Sequence, residues 1–251
     1  MKVAGDDFEK VSSLDKKIRE QLFKWINIRN YDASIYFGYF NELANEIGCA
    51  LRVFSLNYDL CVENALERKG VSIELGFNEN RHWEATRFDS NQNADTRVYL
   101  YKLHGSIDWI RDKDKGRNLM KCDSPQDSPE LIFGTTAKLS SIDPYLFYVH
   151  EFRKYSLQEP LRLIVTIGYS FSDDYINELI SQAINRNEFA KILTVTPSAK
   201  NPEEINRISK LLAIDESRII AEGSAAKDFF NEKMNLAYFE QISGNGDDVP
   251  F

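Results

Sequence analysis

The sequence predicts an α/β fold built on a parallel, doubly wound sheet, and three observations carry that expectation. Five short apolar runs punctuate the chain: LRVFSL (51–56), VYLYKL (98–103), LRLIVTI (161–167), KILTVT (191–196) and SRIIAE (217–222). Most lack strict polar alternation, which is the pattern of strands buried on both faces. Stretches with helical spacing lie between them, and strands that alternate with helices imply parallel crossovers.

Residues 7–48 come first and read as helical, because Phe8, Val11, Leu14, Ile18, Leu22 and Trp25 recur three or four apart, and Phe40, Leu43 and Ile47 continue the pattern. After the first apolar run, helices are expected over 59–68, 143–157, 173–186, 202–213 and 225–236. Ser172 ahead of Asp173 and Asp174 is a helix start signal, and so is Asn201-Pro202-Glu203-Glu204, with proline in the first turn. Residues 70–97 and 110–142 are polar and turn-rich (DKDKGRN, CDSPQDSPE) and are expected to form a small inserted lobe over one sheet edge. Three parts result: a helical N-terminal segment (1–50), the α/β domain (51–240) and a flexible tail (241–251).

Composition narrows the function classes. A formal net charge of −8 repels phosphate backbones, so no direct nucleic-acid partner is expected. Cys49, Cys61 and Cys122 are odd in number and far apart, which suggests a reducing compartment rather than a disulfide framework. None forms a CxxC pair, so a four-cysteine zinc site cannot be built. The N-terminus MKVAGDDFEK has acidic residues where a secretory signal has an apolar core. No apolar run approaches the roughly 18 residues that span a bilayer. The expectation is a soluble cytoplasmic protein without a membrane partner.

In open α/β sheets, ligands bind beyond the carboxyl ends of the strands. The residues following the five runs are Asn57-Tyr58-Asp59, His104-Gly105-Ser106, Gly168-Tyr169-Ser170, Thr196-Pro197 and Gly223-Ser224-Ala225. Each run delivers a polar group or a glycine, and five such endings suggest one crevice. Each position also has a plainer reading. An Asn-x-Asp after a strand is often a helix cap, a histidine beside glycine is often a hydrogen-bonded structural residue, and Asp173-Asp174 complement a helix dipole. His82 and His150 have only solvated or core readings, and Cys61 reads as packing.

Taken together, SLNYDLCVENAL, YKLHGSIDW and LIVTIGYSFSDDYINELI, in that order, resemble the sirtuin-like domain family, in its zinc-free bacterial branch of NAD-hydrolysing antiphage defence effectors. The motifs span 51–186, with a looser match to about 236. The resemblance implies a Rossmann-like parallel sheet flanked by helices, with NAD as substrate rather than as a retained cofactor, and no zinc. It places His104 beside the nicotinamide ribose as base or orienting group, a role suited to a side chain with an ordinary pKa of about 6.5. Asn57 would position the ribose and the attacking water, and Asp59 the nicotinamide amide. Gly168, Tyr169 and Ser170 would contact the ribose and phosphates, and Gly223, Ser224 and Ala225 the adenine. The implied partners are NAD and either further copies of the chain or other subunits of a defence system.

Two departures qualify what the resemblance implies. The deacylase branch carries two CxxC pairs in its small lobe, where this chain has only Cys122, which points to NAD hydrolysis rather than protein deacylation. The family also opens on a strand and a GAG-x-S turn that grips the pyrophosphate. Residues 1–50 hold only the isolated Gly5, Gly38 and Gly48, so the first βα unit is expected to be missing. Three lost charge-assisted hydrogen bonds, at about 1.5–3 kcal/mol each, would weaken binding by at least on the order of a thousandfold. That leaves a catalytically incomplete scaffold as the alternative function. The cysteine pattern yields one expectation directly: elemental analysis of chelator-washed protein should find no stoichiometric zinc, and finding it would restore the deacylase reading.

Overall fold

The computed structural model describes residues 5–89, 95–111, 118–127, 129–131 and 143–244. The chain forms two compact units, one of residues 1–35 and 52–148 and the other of residues 36–51 and 149–251. Parallel sheets flanked by helices bear out the expected α/β class, but the described strands divide among two three-stranded sheets and an antiparallel pair instead of forming one sheet.

The first unit opens with helix α1 (Gly5–Ile26). The apolar spacing identifies this helix, yet Val11, Leu14, Ile18 and Trp25 are all exposed. Its sheet runs in the order β1 (Leu51–Ser55), β3 (Val98–Lys102), β2 (Ile73–Glu74), with β2 parallel to β3. Strand β2 lies inside the stretch expected as an inserted lobe. Its Glu74 is buried against Arg87, whose guanidinium forks onto the carboxylate at 2.8 and 3.1 Å. Every residue of β3 is buried, as befits a central strand. Its Tyr99 and Tyr101 join Phe88, Trp109 and Tyr148 in stacked, edge-to-face and tilted pairs, at ring separations favourable for aromatic contacts. Helix α3 (Cys61–Arg68) buries Val62, Ala65 and Leu66.

After β3 the chain turns at Gly105 and returns as a hairpin of β4 (Trp109–Arg111) and β5 (Leu119–Lys121), which are antiparallel. Gly105 has φ +91, and a Cβ there would stand 2.2 Å from the Glu130 carbonyl oxygen. The backbone of 130–131 crosses this spot, bridging Gly105 through Leu131 and Trp109 through the Glu130 N–H at 2.7 Å. Glycine is therefore demanded twice, by torsion and by space.

In the second unit, β6 (Leu163–Ile167), β7 (Lys191–Val195) and β8 (Ile219–Glu222) pair in sequence order, all parallel, with Thr166 opposite Thr194 and Thr194 opposite Ala221. Helix α5 (Asp174–Arg186) buries Ile176, Leu179, Ile180, Ala183 and Ile184, and α6 (Pro202–Leu212) buries Ile208 and Leu212. Helix α4 (Tyr145–Ser156) begins in the first unit and ends in the second. Asn201 caps α6 ahead of Pro202 as expected, whereas the cap of α5 is Asp173 rather than Ser172: its carboxylate accepts from the N–H groups of Tyr175 and Ile176. Helix α2 (Tyr39–Ile47) contributes Phe40, whose ring meets Phe230 edge-on at 5.1 Å. The single helix expected over 225–236 is broken at Lys233–Asn235 into α7 (Ala226–Glu232) and α8 (Leu236–Ser243), with Asn235 capping the second. Helix α8 thus reaches three residues into the expected tail; residues 245–251 lie outside the described residues.

Arg218 locks the approach to β8. Its guanidinium donates to the carbonyls of Ile184 (3.1 Å), Asn187 (2.6 Å) and Ala190 (2.8 Å), joining the end of α5 to the start of β7. Losing these charge-assisted bonds in Arg218→Ala is expected to lower stability by about 2–4 kcal/mol in urea unfolding. Gly105→Ala is expected to lower it by about 3 kcal/mol or more, because the strained torsion and the backbone clash add.

Candidate functional site

The ends of β1 and β3 are tied together by backbone hydrogen bonds. The Leu103 N–H donates to the Ser55 carbonyl at 2.9 Å, and the Ile107 N–H donates to the Tyr58 carbonyl at 3.1 Å. These bonds bring the segment 57–59 beside His104. Asn57 is exposed, Asp59 and His104 are half-buried, and the Tyr58 ring lies 6.1 Å from the imidazole. Three of the residues predicted from sequence therefore share one place in the first unit.

Asp59 also serves the helix that follows it. Its carboxylate accepts from the Cys61 N–H at 2.9 Å, which satisfies a donor at the start of α3. Burial, together with the hydrogen bond and charge of Asp59, pushes the Cys61 thiol up to about 12, so Cys61 stays protonated and packs rather than reacts. The cap reading of Asp59 and its predicted role toward a ligand are compatible, because a carboxylate has several lone pairs to share.

Beneath this segment lies a buried charge that sequence reasoning missed. Lys102, the last residue of β3, is only 1% exposed, and its ammonium donates to Glu63 Oε1 at 2.9 Å and to the Asp59 carbonyl. Burial raises the Glu63 carboxyl above its ordinary range, although Lys102 pulls in the opposite direction. Asp108 is buried as well and faces Lys121 at 3.5 Å. One signal could have revealed Lys102: a lysine inside an otherwise apolar run, two residues before the histidine.

In the second unit the other predicted residues stand at the carboxyl ends of β6 and β8. The Gly168 N–H donates to the Val195 carbonyl at 2.9 Å, and the Thr196 N–H to the Glu222 carbonyl at 3.0 Å, so the three strand ends finish level. Gly168 and Ser170 are exposed. The Tyr169 hydroxyl is committed to α5, donating to Asn177 Oδ1 at 2.8 Å, and burial and the nearby Asp173 hold it above the ordinary phenol range. The phenol thus anchors its own loop and leaves the backbone of 168–170 as the accessible part.

At the end of β8, a Cβ on Gly223 would stand 2.2 Å from the Lys200 side chain. Glycine here lets the lysine stem cross the strand end, a neighbour that sequence reasoning did not assign. Glu222, just before it, is driven upward by burial, but hydrogen bonds from Lys233 and Tyr238 and the Lys233 charge help hold its carboxyl low. The Ser224 hydroxyl is buried without a hydrogen-bond partner among the described residues, while Ala225 is exposed and precedes α7.

His150, in α4, is exposed, and His82 bridges Met120 in the first unit; neither sits at a strand end. Among the described residues, no group of three or more His, Cys, Asp or Glu side chains could hold a metal ion. No helix among them is long and apolar enough to cross a membrane.

Comparison with solved structures finds the same fold in two Sir2 homologue variants, each in complex with ADP-ribose. The serine-to-alanine variant superposes with a TM-score of 0.55 at 12% identity, covering 92% of this chain and 76% of its own. The histidine-to-asparagine variant gives 0.52 at 13% identity, covering 92% and 77%. No curated protein matches the sequence. The model of the SIR2-like domain family matches residues 51–220, which run from the start of β1 into β8 and include both Asn57 and His104. The chain belongs to the SIR2-like domain family.

Proposed function

We propose that the chain is an NAD hydrolase that cleaves the nicotinamide–ribose bond, acting as an effector module of a bacterial antiphage defence system. Membership of the SIR2-like family supports NAD-related activity. Structural likeness to Sir2 homologues in ADP-ribose complexes fits a product of this reaction. The observation that carries the reading is the joining of Asn57, Asp59 and His104 at the ends of β1 and β3 by the Leu103–Ser55 and Ile107–Tyr58 hydrogen bonds. The defence role rests on the motif resemblance, and with it the expectation of a cytoplasmic protein that works as a homo-oligomer or beside other subunits.

In this reading the N-glycosidic bond breaks with its electron pair leaving on nicotinamide, and positive charge develops on the ribose. Water adds to the ribose carbon and its proton passes to His104, so NAD⁺ and water give nicotinamide, ADP-ribose and a proton. Asn57 positions the ribose and the water, and Asp59 the nicotinamide amide. Gly168, Tyr169 and Ser170 contact the ribose and phosphates, with Tyr169 contributing backbone because its hydroxyl is engaged. Gly223, Ser224 and Ala225 hold the adenine. The chemistry needs positioned polar groups and exclusion of bulk water, not a zinc ion.

A second reading, a catalytically incomplete scaffold, draws support from the residues ahead of β1. Those described form α1, a 3₁₀ segment (Asp32–Gly38) and α2, where a strand and glycine turn would grip the pyrophosphate. Nicotinamide release, followed by chromatography at millimolar NAD⁺ to offset a weak phosphate grip, separates the two. His104→Ala and Asn57→Ala are each expected to lower turnover by roughly a hundredfold or more while remaining folded. His82→Ala and His150→Ala should retain it. Equal release with and without His104 would refute the mechanism, and no release from folded protein under any activating condition would leave the scaffold.

A further inference from the structure

We propose that the buried Lys102–Glu63 pair is the positioning device of the site: its ammonium sets the distance between His104 and the 57–59 segment. The inference rests on the assignment of Asn57, Asp59 and His104 made above. Lys102 ends β3, the central strand of its sheet, and His104 follows two residues later. The ammonium reaches across to the Asp59 carbonyl, two residues after Asn57, and is held from the other side by Glu63 on the first turn of α3 at 2.9 Å. One cation thus joins the strand that bears the histidine, the loop that bears the asparagine, and the helix that follows the loop.

A packing role alone does not account for a charge at this point. Desolvating an ion pair costs about as much as its attraction returns, and apolar replacements of similar volume are often neutral or stabilising. What an apolar pair cannot do is fix the Asp59 carbonyl, and with it the loop, in one place. The aliphatic stem of Lys102 fills the same space that a methionine would fill, so geometry and volume can be tested apart.

The test uses Lys102→Met/Glu63→Leu, which removes both charges and leaves no buried ion unpaired. The double variant is expected to keep its melting temperature and its affinity for NAD⁺, with KM within about threefold. Its kcat should fall by roughly tenfold to a hundredfold, the scale of a small misplacement of reacting groups. Amide hydrogen exchange at Leu103 and Ile107, whose N–H groups make the two joining bonds, should quicken by about tenfold, while Gly168 and Thr196 in the other unit should not change. Unchanged kcat together with unchanged exchange would overturn the proposal, as would a loss seen only as raised KM. If the parent protein releases no nicotinamide, the hydrolase reading fails, and the exchange measurement decides this inference independently. Should the double variant not fold, Glu63→Gln, which alters one group on the partner alone, is expected to lower kcat and quicken Ile107 exchange in the same sense. No change in either would then overturn the proposal.

Discussion

An ammonium group removed from water must be given acceptors by the protein, and in the first unit that demand shapes everything near the end of β3. Lys102 closes a five-residue strand of which every member is buried, at a depth where an unpaired cation could not remain charged. Glu63 and the Asp59 carbonyl answer it. Because Glu63 belongs to α3, the helix must start where it does, and because the carbonyl belongs to the loop before it, that loop must pass over the strand end. The Asp59 side chain then turns inward to the Cys61 N–H, so one residue satisfies both a strand and a helix.

The second unit solves the corresponding problem with arginine. Arg218 sits ahead of β8 and is shared among three carbonyls between the end of α5 and the start of β7. Lysine supplies a compact charge to a carboxylate and one carbonyl, whereas the planar fork of arginine spans several acceptors at once. The contrast matches position: Lys102 lies at the carboxyl end of a strand, where the candidate chemistry is, and Arg218 at the amino end, where only the scaffold needs support.

Much of this was legible in the sequence because periodicity and punctuation are local. Five apolar runs contain five of the strands, and Asn57, His104, Gly168 and Gly223 follow their strands closely as read. Strand β2 was not legible: it is two residues long, one of them a glutamate whose burial depends on Arg87, 13 residues later. Nor was the Lys102–Glu63 pair, whose members stand 39 residues apart, since a lysine at the end of an apolar run reads as a side chain reaching for solvent. The division of the described strands into separate sheets also escaped, because strand pairing is a choice among distant partners that no window of sequence records.

The protonated state of Cys61 has a meaning for oxidative chemistry. Peroxides and alkylating reagents attack thiolates, and a thiol held near 12 offers almost none at neutral pH. The loop that bears Asn57 and Asp59 is therefore insulated from redox damage, although a cysteine lies two residues beyond it. Cys49, exposed just after α2, is the sulfur that meets reagents in solution. A fluorophore or spin label attached there reports on the protein while leaving the strand ends untouched.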